Sequence, residues 1–210
     1  MEPTAMGLPG VAFTPGLHIC AFYRGPTQRD ELLLPYLREG LAAGDKCICV
    51  TDDPRAGAAV CDLAGEFGID VASSSAQLQP MDSASTYLSG GRFAIEKMIG
   101  FWDQAMTAAV SRDGFDFVRA AGEMTWALRG MPGSDLLLAY EAQLNVFLHR
   151  YPQVLLCFYD LEQFSNGQIL LEILRTHPTV LLSGQLLDNP WYVEPEEYLG
   201  RHVAAGEPTR

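Results

Sequence analysis

Residues 17–23 read LHICAFY and are followed directly by RGPTQRDELL at 24–33. The first run is apolar without alternation, which marks a strand buried on both faces. In the second, Gly25-Pro26 breaks the strand, and Leu32, Leu33, Tyr36, Leu37 and Leu41 recur at helical spacing up to Gly44. Thr27 and Asp30 read as an N-cap pair, and Pro35 is expected to kink this helix or mark a late start. The segment also excludes a chemistry. A phosphate-binding loop between a first strand and a first helix needs GxxxxGK[ST], because phosphate must meet a row of backbone N–H groups and a lysine. Residues 24–33 hold one glycine, no lysine, and an Asp and a Glu. No GxGxxG fingerprint occurs either.

The same strand-then-helix pattern continues along the chain. Lys46–Thr51 (KCICVT) is a second buried strand, and Asp53-Pro54 opens a helix that reaches about Phe67. Ile69–Val71 is read as a short strand and Ser73–Gly91 as the least regular internal stretch. A helix is expected over Phe93–Val110, a strand over Phe115–Thr125, and a helix from Gly133-Ser134 to His149 or Arg150 that includes Leu137, Leu138, Glu141 and Leu144. Val154–Tyr159 (VLLCFY) is the most strand-like segment. A helix capped by Ser165 or Asn166 ends at His177-Pro178, and Thr179–Leu187 is read as the last strand. Apolar strands alternating with helices predict an α/β domain: a mainly parallel sheet with helices on both faces. One domain over 15–199 is expected, with a flexible leader at 1–14 and a flexible tail at 200–210.

Composition narrows the function. The chain has 210 residues, 48% of them hydrophobic, which is globular composition. Its net charge is -12 with only 14 Lys and Arg, the wrong balance for a nucleic-acid or anionic-membrane partner. Five cysteines, four of them in or beside apolar strands, fit a reducing compartment better than a disulfide framework. Residues 1–13 lack a charged n-region and a long apolar h-region, so a cytoplasmic location is expected.

Ligands of open α/β sheets bind outside the carboxyl ends of the strands. That rule selects Tyr23, Asp52, Glu123, Trp126, Tyr159 and Asp160 as ligand-binding candidates, with His18 on the first strand added. Glu123 stands out, because GEMTW puts a carboxylate at the end of an apolar strand, where it can serve a ligand, a neighbour, or a salt bridge. Trp126 and Tyr159 fit a pocket wall and a packed core equally. His18 with Cys20, and Cys47 with Cys49, alternate on strand faces. A strand CxC is weak grounds for zinc, and core packing is the expected role, so no metal, cofactor or catalytic residue is assigned. His177 before Pro178 reads as a helix-end cap.

A set of runs kept in order and spacing carries a resemblance: HICAFY (18–23), LREGLAAGDKCICVTDDP (37–54), AAGEMTWAL (120–128), LLAYEAQLNVFL (137–148), YPQVLLCFYD (151–160), LRTHP (174–178) and NPWYVEP (189–195). Together they resemble the MEDS sensory domain of methanogens, methylotrophs and DcmR-like regulators, over about residues 15–199. The resemblance implies a fold related to RecA- and KaiC-like ATPases with the phosphate loop lost. It implies a sensory role toward small organic, possibly hydrocarbon-derived, signals. DcmR-like proteins join the sensor to a DNA-binding helix-turn-helix. With about fifteen residues before the domain and about eleven after it, signalling through a regulatory protein partner or a homo-oligomer is expected here. Two rival readings stay open: residual nucleotide binding or hydrolysis centred on Glu123, and a ligand-free adaptor in a sigma-factor or histidine-kinase pathway.

Overall fold

A computed structural model describes residues 4–73 and 75–204, the last three without their side chains. Two short strands, β1 (Thr4–Ala5) and β2 (Ala12–Phe13), pair antiparallel ahead of the main sheet. The domain then alternates β3 (His18–Tyr23), α1 (Gly25–Ala43), β4 (Lys46–Thr51), α2 (Pro54–Glu66), β5 (Leu78–Asp82) and the single turn α3 (Ser83–Thr86). There follow α4 (Ile95–Thr107), β6 (Val118–Glu123), α5 (Leu137–Leu148), β7 (Gln153–Asp160), α6 (Gly167–Thr176), β8 (Thr179–Leu182), β9 (Gln185–Asp188) and α7 (Pro195–Ala204).

The main sheet has seven strands in the order β5-β4-β6-β7-β3-β8-β9. Every pairing is parallel except β8 with β9. β3 and β7 are buried along their whole length, as their unbroken apolar runs require. The strand faces split the core. Ile19, Ala21 and Leu156 pack with α1 and α2, while Cys20, Phe22 and Tyr159 pack with α4, α5 and α6.

The two helices that start nearest the strand ends have different origins. α2 begins as expected: Pro54 stands in its first turn and the Asp53 side chain accepts from Arg55 N. α1 does not use Thr27. It begins at Gly25, with φ +66°, one residue past the strand, and its cap residue Arg24 makes no side-chain cap. Pro26 fills the first turn, where its missing N–H costs nothing, and Pro35 is carried inside the helix.

Several local readings are corrected. The irregular stretch at 73–91 contains β5 and α3, and Ile69–Val71 is a turn region instead of a strand. The run read as one strand over 179–187 is a hairpin. Ser183 (φ 51°) and Gly184 (φ 74°) turn it back on itself, which the paired apolar residues on either side conceal. Residues 4–13, expected as part of a loose leader, carry the β1–β2 hairpin with Met6 and Phe13 buried. α7 runs past residue 200, with Tyr198 buried and bonded to Glu172, and residues 205–210 lie outside the described residues.

Candidate functional site

The carboxyl ends of β3, β4, β6 and β7 converge on one charged network. Glu123, the last residue of β6, is 3% exposed and has both oxygens engaged. Its Oε2 accepts from the backbone N–H groups of Asp52 (2.6 Å) and Asp53 (3.1 Å), at the start of α2. Its Oε1 accepts from the Tyr23 hydroxyl and from Arg29 Nη1, each at 3.2 Å. Arg29, on the first turns of α1, also reaches Asp53 Oδ2 (3.0 Å) and Asp30 Oδ1 (2.9 Å). Glu123 thus ties β3, α1, α2 and β6 together. Burial pushes the Tyr23 hydroxyl up, and the Glu123 and Asp160 carboxylates push it further, so it stays a donor.

Beside this clamp, the start of α1 already faces carboxylates. Asp160 Oδ1 accepts from Gly25 N at 3.3 Å and from Glu162 N at 3.0 Å. A Cβ on Gly25 would lie 3.5 Å from a Glu162 oxygen. The N-terminus of α1 therefore already faces carboxylates of this chain, where an added anion would meet like charge.

Next to the clamp a crevice of about 550 Å³ opens between the ends of β4 and β5, with Asp52, Asp53, Met81, Ser83, Ser85 and Arg129 among its walls. Asp52 is its organising residue. Its carboxylate accepts from Ser83 Oγ and from Thr125 Oγ1 (2.9 Å) and pairs with Arg129 (2.7 Å). A larger groove of about 670 Å³ lies at the opposite side of the sheet, between the β1–β2 loop and β9. It brings no set of charged side chains together, so the β4–β5 crevice is the better functional candidate.

The remaining candidates lie elsewhere. Trp126 is fully buried, stacked on Tyr87 at 4.9 Å and packed on Phe93 at 4.6 Å. His18 and Tyr159 are also buried, on the sheet face covered by α5. They meet Glu141, Asn145, Cys157 and His177 there. Tyr159 donates to Glu141 Oε1 at 2.7 Å, and Glu141 Oε2 lies 3.1 Å from His18 Nε2, 3.4 Å from His177 Nε2 and 3.5 Å from Cys157 Sγ. Burial lowers His18 to about 4, with His177 beside it adding to the effect. Burial alone would raise Glu141, but the two imidazoles outweigh it and hold the carboxyl well below its usual range. Burial and the adjacent Glu141 push the Cys157 thiol up.

Of the seven sequence candidates, only Asp52 lines the crevice; Tyr23, Glu123 and Asp160 form the network beside it. Arg29 and Glu141 were not selected from the sequence. Glu141 had a signal: a lone carboxylate in the helix run LLAYEAQLNVFL, between apolar residues that must face the core. Arg29 had none, since QRDE at a helix start reads as a solvated turn.

Comparison with known proteins decides the lineage. Residues 17–178 match MEDS, the MEthanogen/methylotroph, DcmR Sensory domain. The chain belongs to this family. It is 32% identical over 161 residues to the transcriptional repressor DcmR of Methylorubrum extorquens, covering 76% of this chain. It spans 57% of that relative's length. Among solved structures it is similar to a KaiC-like protein of the hyperthermophilic archaeon Pyrococcus horikoshii, with a TM-score of 0.52, 14% identity, and coverage of 85% of this chain and 79% of that one. This MEDS domain thus has an α/β, KaiC-like fold with a mostly parallel seven-stranded sheet. Among the described residues no helix is long and apolar enough to cross a membrane.

Proposed function

We propose that this MEDS domain is a binding module of transcriptional control, not a catalyst, and that it takes a small organic signal in the crevice between the ends of β4 and β5. One observation carries the reading: Glu123 and Asp160 engage the starts of α2 and α1 with hydrogen-bonded carboxylates, while the crevice next to them stays open. A residue with both oxygens bound to four donors is a poor general base, which counts against hydrolysis centred on Glu123. The five free cysteines suit a reducing, cytoplasmic setting.

The wiring supplies a route for the signal. Asp52 touches the crevice through its side chain and Glu123 through its backbone N–H. A ligand that draws Asp52 or Arg129 inward acts on the clamp, and through Arg29 on the start of α1. Occupancy would then shift the population of a surface read by a regulatory protein or a second copy of the chain.

A thermal-shift series with small alcohols, aldehydes and halocarbons, and with magnesium-ATP alongside, tests this. A binder present at 100 times its Kd stabilises the fold by about 2.7 kcal/mol. A shift with an organic compound that Asp52→Asn abolishes supports the reading. A shift with magnesium-ATP alone, with turnover, would return the hydrolase reading. A partner complex that forms with no compound present and ignores all of them would favour the adaptor.

A further inference from the structure

Four buried side chains converge beneath the sheet: His18 on β3, Glu141 on α5, Cys157 on β7 and His177 between α6 and β8. One donor atom from each lies within 4.8 Å of the others. We infer that these residues form a closed zinc site that fastens α5 and the α6–β8 junction to the centre of the sheet. The inference is independent of the signal-binding reading.

Hydrogen bonding fixes which ring nitrogens are free. His177 Nδ1 lies 2.8 Å from the Ile173 carbonyl, which can only accept, so Nδ1 carries the proton. Asn145 Nδ2 donates to the carbonyls of Glu141 (3.1 Å) and Thr176 (2.8 Å), which turns Oδ1 toward His18 Nδ1 at 3.1 Å. His18 Nδ1 is therefore a donor as well. In the neutral rings both Nε2 atoms present lone pairs, and both lie close to the same oxygen, Glu141 Oε2, at 3.1 and 3.4 Å. His177 Nε2 makes no aligned hydrogen bond there although its residue is fully buried. The Cys157 Sγ lies 3.5 Å from the same oxygen, so two ring nitrogens, a carboxylate oxygen and a sulfur face one point, and a cation held among them would give all four a partner.

The distances and chemistry suit zinc. Tetrahedral zinc with bonds of about 2.0–2.3 Å sets its ligand atoms roughly 3.3–3.7 Å apart. His18 Nε2 lies 3.3 Å from Cys157 Sγ, and Glu141 Oε2 lies 3.1–3.5 Å from the three other donor atoms. Two imidazoles, a carboxylate and a thiolate supply four protein ligands and leave no open position, the arrangement of a structural centre. On binding, the Cys157 thiol releases its proton to solvent, and one carboxylate plus one thiolate neutralise the divalent ion. That balance allows burial. The outer contacts also fit: both imidazoles donate from Nδ1, and Tyr159 holds the second Glu141 oxygen.

The test uses the full chain, purified with a reductant and analysed by elemental mass spectrometry. One zinc per chain is expected. Unfolding with a chelator and refolding with cobalt(II) should give the strong visible bands of a tetrahedral centre and a thiolate-to-cobalt transition. Cys157→Ser should lose the latter, and Cys61→Ser, at the exposed cysteine, should keep it. Tyr159→Phe leaves the four ligands in place and should weaken zinc on the order of 10- to 100-fold in a competition assay with a chromophoric chelator. A folded wild-type chain that takes up neither metal after refolding overturns the inference and leaves a proton-held network. So does metal that follows Cys61 and survives Cys157→Ser. Should Cys157→Ser fail to fold, the wild-type metal content and the Tyr159→Phe affinity decide.

Discussion

Glu123→Ala should destabilise this domain by about 3–5 kcal/mol, the cost of removing one partner of a buried charge cluster. The structure sets the size. The carboxylate accepts four hydrogen bonds, two from backbone N–H groups, one from Tyr23 and one from Arg29, which is 2% exposed. Hydrogen bonds to charged groups contribute roughly 1.5–3 kcal/mol each, but they share one acceptor and do not add. Arg29 keeps Asp53 and Asp30, which limits the loss. Glu123→Gln retains one acceptor but turns an NH₂ toward other donors, and should cost about 2–4 kcal/mol. Urea unfolding followed by circular dichroism reads both changes. A double-mutant cycle with Arg29→Met should return a coupling of about 1–3 kcal/mol. A loss below about 1 kcal/mol for Glu123→Ala would refute the clamp and free this carboxylate for chemistry.

Other outcomes follow from the same geometry. Asn189→Ala removes donors to the Leu174 and His177 carbonyls (2.6 and 2.7 Å) and an acceptor for Trp191 N, so the unfolding midpoint in urea should fall by the equivalent of about 2–3 kcal/mol. Gly184→Val places a branched side chain at φ 74° in the β8–β9 turn and should lower the melting temperature through a cost of at least about 1–2 kcal/mol. Burial pushes the Asp53 carboxyl up, but the Arg55 N–H and the Arg29 guanidinium outweigh it and hold it below its ordinary range. The stability Asp53 contributes is therefore complete above about pH 4 and lost as pH falls further, and Asp53→Asn should flatten that part of the acid unfolding curve.

The strand and helix pattern was legible because buried parallel strands carry unbroken apolar runs. HICAFY, KCICVT and VLLCFY name their strands almost to the residue. β5 was not legible. LQPMD is a sheet-edge strand containing Pro80, and its backbone pairs only with β4. Among site residues, Glu123 was visible as a carboxylate ending an apolar strand, but its role was not. A sequence shows that an acid lies near a strand end, and only coordinates show four donors already bound to it.

The sequence by itself determined the class of fold and the lack of a GxxxxGK[ST] motif after its first main strand. That residues 24–33 hold a single glycine and no lysine is a local fact, because a phosphate loop is built from consecutive residues. Tertiary structure decided everything that depends on residues far apart in the chain. Glu141 and Cys157 are 16 residues apart and His18 and Cys157 are 139 apart, yet sheet order and register bring all three to one point. Local periodicity reports which face a residue is on, whereas a site is made by which faces meet.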